Sequence, residues 1–475
     1  MSSELTIHWF RQDLRLSDNP AFSAACNKGR VLPVYIVDDT NPGELKSGAA
    51  SNWWLHKSLT ALNQSLHGSL AVYRGDPKLI LADLVTRFNV NAVHWNRCYE
   101  PWRTVRDQQI KTDLLSANIA VASFKGSLLW EPWEIHKKDG TPYKVFTPYF
   151  QRGCLSALAP AKPLPIPTDI ELFEQQASDS SIDDLGLLAN NGWHKKLGEH
   201  WIIGEDAAQL RLQEFVEEDI EGYREGRDFP ALNNVSRLSP HLHFGEVSPR
   251  QAWYAASTRS DSADCQHFLR ELGWREFSHS LLYHFPTLPS QNLQAKFDRF
   301  PWLENSAHLQ SWQQGQTGHP LVDAGMRELW QTGYMHNRVR MVVGSFLVKN
   351  LLLDWRHGER WFWDCLLDAD LANNSASWQW VAGCGADAAP YFRVFNPMLQ
   401  GKKFDSTGEY TRRFVPELKH LPDKYLFSPW QAPEQVLSDA GIELGKDYPH
   451  PIVDLKASRL EALQAYRSLK DSIGF

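Results

Sequence analysis

Between residues 5 and 130 the sequence switches repeatedly between two periodicities, and that alternation constrains the fold more than any other feature. Apolar, β-branched and aromatic runs lie at 5–10 (LTIHWF), 31–38 (VLPVYIVD), 70–75 (LAVYRG), 91–96 (NAVHWN) and 121–129 (VASFKGSLL). Between them stand NPAFSAACNKG, SNWWLHKSLTALNQSL, PKLILADLVTRF and RTVRDQQIKTDLLSAN, each with helical spacing. Strands alternating with helices at this interval join through right-handed crossovers into a parallel sheet. Asp18 is the expected N-cap of the first helix and Gly29 its stop. Ligands of such sheets bind beyond the carboxyl ends of the strands. This chain carries Arg11, Asp13 and Arg15 after the first strand, and Cys98, Tyr99 and Glu100 after the fourth. No glycine-rich dinucleotide fingerprint and no P-loop follows any strand, so neither of those phosphate-binding solutions is available.

Residues 131–205 change character. They are rich in Pro, Ser, Asp and Gly, with AKPLPIPTDI followed by QQASDSSIDDLG, and read as a long, partly acidic surface connector. From 206 the spacing is helical, in AAQLRLQEFVEEDIEGY, ADCQHFLRELGWREFSHSLLYH, LVDAGMRELWQTG, HNRVRMVVGSFLVKNLLLDW and RWFWDCLLDADLAN. Ser239 and Ser248, each followed by proline, are expected helix caps. The expected fold is α/β plus all-α: a doubly wound parallel-sheet domain over 1–130, a connector over 131–205 and a helical domain over 206–475.

The net charge of −7 gives no global sign of nucleic-acid binding, although a local basic patch suffices for that. Six cysteines without a C-x-x-C pair fit a reducing compartment, with no zinc site and no structural disulfide. There is no signal peptide at the N-terminus and no apolar run near the roughly 20 residues a membrane helix needs, so a cytoplasmic enzyme is expected. The 20 tryptophans stand out. They suit a tryptophan-rich core equally with a bulky aromatic ligand or an electron path.

Several constellations could carry chemistry. Ser236, Arg237 and Ser239 lead into a helix start, which suits a phosphate as well as plain capping. Glu271, Trp274 and Arg275 are three and four apart, hence on one helix face. Asn337, Arg340 and Met341 share another. Asp368, Asp370 and Asn374 follow an apolar run and could accept hydrogen bonds from a ribose or flavin ring; no histidine spacing supports a metal. In the stretch from 373 to 380, Trp378 and Trp380 flank Gln379. On a helix, residues two apart point to nearly opposite sides, so the two indoles cannot serve one surface.

In this order and spacing, WFRQDLRLSDNPA (9–21), RLSPHLHFGEVSPRQ (237–251), LRELGWREF (269–277), TGYMHNRVRM (332–341), DWRHGER (354–360) and WQWVAGCGADAAPYFRVFNP (378–397) resemble the photolyase/cryptochrome family over essentially the whole chain. The resemblance implies an N-terminal α/β antenna domain and a C-terminal helical domain holding FAD. It also implies duplex DNA that presents a flipped lesion, because photolyases act on bases taken out of the stack. It assigns Tyr223, Ser236, Leu238, Ser239, Glu271, Arg275, Asn337, Arg340, Asp368, Asp370 and Asn374 to the FAD pocket. Asn374 falls at the flavin N5 partner, where plant cryptochromes tend to carry aspartate. Val235 departs from the hydroxyl many relatives have. Trp378, Trp355 and Trp302 match the electron path, while Trp274 and Trp380 match the stacking surfaces for the lesion. Glu271 is expected to hydrogen-bond the dimer, and Arg227, Arg338, Arg393, Lys402 and Lys403 to meet the DNA backbone.

The implied activity is light-driven splitting of cyclobutane pyrimidine dimers in DNA by a monomer. Two alternatives remain. A (6-4) photolyase of the animal type has histidines where this chain has Asn337 and Met341. A cryptochrome photoreceptor often has a long C-terminal tail, and this sequence ends soon after LEALQAYRSLKDSIGF. Glu100 matches an antenna-binding position; the antenna, methenyltetrahydrofolate or 8-hydroxy-deazaflavin, stays undecided.

Overall fold

In the computed structural model the described residues are 4–173, 180–258, 262–391 and 393–471. By contact the chain divides into two compact units. One comprises Met1–Glu221, Ser236–Pro286 and Leu367–Ala372; the other comprises Gly222–Val235, Thr287–Leu366 and Asn373–Phe475.

The first unit contains a five-stranded parallel sheet. Its strands are β1 (Glu4–Phe10), β2 (Gly29–Val37), β3 (Ala71–Arg74), β4 (Ala92–Asn96) and β5 (Ala120–Phe124), in the order β3-β2-β1-β4-β5. The order reverses at β1, where Ile7 lies opposite Leu32 on one side and Val93 on the other. This is the doubly wound arrangement expected from the alternation. The crossovers carry α1 (Pro20–Cys26), α2 (Ala49–Ser65), α3 (Pro77–Phe88) and α4 (Pro101–Ser116). Successive strand side chains point to opposite faces. Phe10 accordingly packs with Phe22, Trp54 and Leu59, whereas Ile7 and Trp9 pack with Leu81, Leu84 and Ile110.

The first helix differs from expectation at both ends. Asn19, not Asp18, caps it, accepting the Phe22 N–H at 3.0 Å. Gly29 opens β2 and the helix ends at Asn27. Asp18 is fully buried. Its carboxylate accepts from the Ser248 hydroxyl and pairs with the Arg250 guanidinium at 2.6 Å. An unpaired buried charge costs several kcal/mol, so the carboxylate goes to the distant arginine and the neutral neighbour serves the helix.

Ser239 is the first residue of α5 (Ser239–Phe244), with Leu238 at the cap position and no side-chain cap bond. Ser248 does cap α6 (Pro249–Ser257), forming a capping box with Gln251. Between these helices Gly245 has φ 71°, and a Cβ there would overlap the backbone of Gln12 and Asp13, so only glycine fits. Of the connector's acidic run, 174–179 lie outside the described residues. Asp183 is exposed and pairs with His56 at 2.8 Å, while Leu185, Leu187 and Leu197 enter the core beside Trp53 and Trp54. The long helix α7 (Ala263–His284) presents a buried Glu276, which accepts the N–H groups of Leu129 and Trp130.

The second unit is helical among its described residues. It includes α8 (Ser306–Gln313), α9 (Pro320–Thr332), α10 (Asn337–Ser345) and α11 (Trp355–Cys365), and it takes in the part of α12 (Leu371–Ala382) that starts at Asn373. Trp312, Val343, Phe346, Trp355 and Phe362 are among its buried side chains. Among the described residues no helix is long and apolar enough to cross a membrane.

Candidate active site

Helix α12 answers the question posed by its paired indoles. Trp378 is buried and Trp380 half-buried. The Trp378 ring meets Phe362 edge-on at 5.0 Å and Trp312 at 6.2 Å, and it lies against α11 at Gly358. Gln379, between the two tryptophans, is fully buried. Its amide nitrogen donates to the carbonyls of Leu288 and Gln291, both at 2.7 Å, and its oxygen accepts the Leu293 N–H at 2.9 Å. In the segment thus held, Asn292 accepts the Trp355 indole N–H at 3.0 Å. Trp355 is fully buried, and Trp302 is half-buried beside Phe300 at 4.3 Å. The three tryptophans expected on the electron path thus all lie in the second unit, graded from buried to partly exposed.

One turn before Trp378, Asn374 is buried. Its amide nitrogen donates to the main-chain carbonyl of Glu359 at 3.0 Å, leaving the amide oxygen as an acceptor. Helix α10 buries Val339, Val342 and Val343. Asn337 is exposed and Met341 half-buried on its other side. Arg340 donates to the Met335 carbonyl at 2.7 Å. Arg338 pairs with Asp228 at 2.7 Å and lies over Phe404. Tyr223 is buried under the Arg227 guanidinium. Arg393, Lys402 and Lys403 are exposed; Phe392 lies outside the described residues.

The first unit holds the other expected residues. On α7, Glu271 pairs with His267 at 3.6 Å, and Arg275 with Glu276 at 2.9 Å. The shared face predicted from spacing therefore gives each charge its own neighbour. Trp274 stacks on Phe146 at 3.8 Å, which covers one of its faces. Ser236 accepts from Arg211 through its main-chain carbonyl, Leu238 is fully buried, and the Arg237 guanidinium lies over Trp201 at 4.4 Å. Asp368 is half-buried. Asp370 is buried between His279 at 3.5 Å and His243 at 3.8 Å. A small cavity brings Glu100 together with Gln12, Ser127, His243, Arg275 and Asp370. Glu100 itself pairs with Arg103 at 3.4 Å.

The family profile described as DNA photolyase matches residues 6–168, and that described as FAD binding domain of DNA photolyase matches 268–468. A deoxyribodipyrimidine photo-lyase from Agrobacterium fabrum is 47% identical over 474 residues, covering 98% of each chain. The chain belongs to the photolyase/cryptochrome family. Cryptochrome-2 of Arabidopsis thaliana is 40% identical over 475 residues, 96% of this chain and 77% of that protein. The crystal structure of a class III photolyase from Agrobacterium tumefaciens superposes with a TM-score of 0.95 at 46% identity, covering 99% of this chain and 98% of that one.

As a member of that family the chain carries its FAD-binding domain, and residues of each unit suit a flavin: in the second, Asn374 is fixed through its amide nitrogen and keeps its oxygen as an acceptor; in the first, Asp370 and Arg275 line one cavity. The partners of Asp370 were missed in the sequence, although His279 is four residues after Arg275 on α7 and shows the same spacing. Burial pushes the Asp370 carboxyl up, but the charges and hydrogen bonds of His279 and His243 outweigh it and hold it well below the usual range. Burial likewise opposes the charged form of His279, and Asp370 outweighs that to raise it.

The two shifts define a pH window. A depressed Asp contributes stability above its unfolded pKa of about 3.9, lost as pH falls; a raised His contributes below about 6.5, lost as pH rises past its folded value. Asp370→Asn is therefore expected to lower the melting temperature most near about pH 5–6. The deficit should shrink in alkaline buffer, and a pH-independent deficit in thermal melts would count against the pair.

Proposed function

We propose that the chain is a light-driven DNA repair enzyme that splits cyclobutane pyrimidine dimers, working as a cytoplasmic monomer with an antenna domain over 1–130 and a catalytic helical domain over 206–475. The observation that carries this reading is helix α12, where Asn374, with its oxygen fixed as an acceptor, and the buried Trp378 are one turn apart. The full-length identity to deoxyribodipyrimidine photo-lyases supports it. Reduced FAD, when bound, would supply light-driven one-electron chemistry with no net redox change, so that no protein nucleophile would be needed.

The chain's own work is positioning and electrostatics. Asn374 accepts from flavin N5–H without supplying a proton. Trp378, Trp355 and Trp302 carry the electron that reduces the flavin. Glu271 hydrogen-bonds the dimer, and Trp274 and Trp380 are stacking surfaces. Tyr223, Ser236, Leu238, Ser239, Arg275, Arg340, Asp368 and Asp370 hold the cofactor. Arg227, Arg338 and Arg393 meet phosphates. Glu100 holds the antenna chromophore, and its place beyond the carboxyl end of β4 supports that reading.

Lesion choice follows from Asn337 and Met341. Repair of a (6-4) product moves a hydroxyl and a proton between bases and needs an acid–base side chain, for which histidine is suited near neutral pH. An amide and a thioether cannot shuttle protons, but Met341 can fill an apolar slot adaptably. Purified protein with reduced FAD is expected to restore dimer-containing oligonucleotides under blue light and to leave (6-4) products intact. Met341→Ala should weaken binding of damaged DNA more than of undamaged DNA in a titration. Repair of (6-4) products would overturn the lesion assignment. Repair of neither would put the second reading first: a blue-light photoreceptor, favoured by the 40% identity to Cryptochrome-2.

A further inference from the structure

Glu359 lies on α11 with only 8% of its surface exposed, and it meets α12 through two different groups. Its main-chain carbonyl accepts the Asn374 amide at 3.0 Å. Its carboxyl group accepts the hydroxyl of Ser375, itself fully buried, at 2.5 Å. Adjacent residues of α12 are thereby laced to a single residue of α11. A buried acid is costly when charged and unpaired, and among the described residues no guanidinium or ammonium bonds this one. The charges acting on it are Arg356 and Arg360 of its own helix and Asp354 at that helix's cap, while α12 presents only the neutral Ser375 and Asn374.

We propose that Glu359 is a positioning residue for the flavin-facing amide, a neutral acid that fixes the start of α12 through Ser375 and Asn374 and whose ionisation opposes negative charge on the group Asn374 holds. The proposal rests on the reading of Asn374 as the flavin N5 partner. Burial raises the carboxyl to about 7, against smaller opposing effects from the Ser375 bond and the two arginines, so its charge changes near neutral pH. A buried negative charge beside the amide disfavours a second one nearby, because the field between them is poorly screened. Reduction of the flavin to its anionic form is then coupled to the proton on Glu359, and becomes harder as pH rises through neutrality.

The test is spectroelectrochemical titration of the flavin-loaded full chain between acid and alkaline pH, with FAD retention measured by gel filtration. The wild-type midpoint potential is expected to fall with an added slope beginning near neutrality. Glu359→Gln keeps the shape and a hydrogen bond to Ser375 but cannot ionise; it should retain FAD and lose the added slope. Ser375→Ala removes a bond that favours the ionised form, so the onset should move to higher pH. FAD retained with a wild-type pH profile in both variants overturns this proposal alone. A wild-type chain that does not retain FAD overturns the cofactor reading and this proposal with it.

Discussion

Gly358→Ala is expected to destabilise the chain by about 1–3 kcal/mol or more and to abolish efficient photoreduction of its flavin. A Cβ built at Gly358 falls inside the van der Waals envelope of the Trp378 indole. That ring has nowhere to retreat. It is 3% exposed, with Phe362 and Trp312 edge-on against it. Overpacking of this kind forces off-rotamer side chains and backbone shifts. The added methyl group must therefore displace either α11 or the indole itself. Thermal melts should report the lost stability. Bleaching of oxidised flavin under blue light with a reductant should report the displaced indole. Trp378→Phe supplies the comparison, because it removes the indole and leaves room: it should slow bleaching as severely, yet leave repair by chemically reduced enzyme nearly intact. Wild-type bleaching rates in both variants would remove Trp378 from the electron path.

The second large effect is expected at Gln379. Replacing it by leucine keeps the volume but strands three main-chain groups, the carbonyls of Leu288 and Gln291 and the N–H of Leu293. A buried polar group left unsatisfied costs about 1–3 kcal/mol, so the sum is several kcal/mol. The loss should spread, because Asn292 lies in the same segment and holds the Trp355 indole. Gln379→Glu sharpens the test: a carboxylate still accepts from Leu293 but faces two carbonyls to which it cannot donate. Both variants should move the urea midpoint downward and speed amide exchange at Leu293. An unchanged midpoint with unchanged exchange would falsify the account of this buried amide.

The parallel sheet and the helical second half were legible because each rests on local periodicity: two for strands, 3.6 for helices. The opposition of Trp378 and Trp380 was legible for the same reason, since a helix alone sets the angle between residues two apart. Motif order over the whole chain carried the family. What could not be read was which distant group each polar side chain would meet.

Asp18 had the sequence of a helix cap, yet it bonds Ser248 and Arg250, more than 200 residues away. The three bonds of Gln379 reach across about 90 positions. Trp274 lost one stacking face to Phe146, and Asp370 gained His243 and His279. Glu359 passed unnoticed as an ordinary charged helix residue until α11 and α12 closed over it. By itself the sequence determined the elements, their order and the chemical types available for a site, because backbone preference and amphipathic spacing act over a few residues. Only the tertiary structure decided which charges are neutralised, which partners each amide meets and which indole is enclosed. Those outcomes depend on burial, and burial is a property of what the rest of the chain packs against.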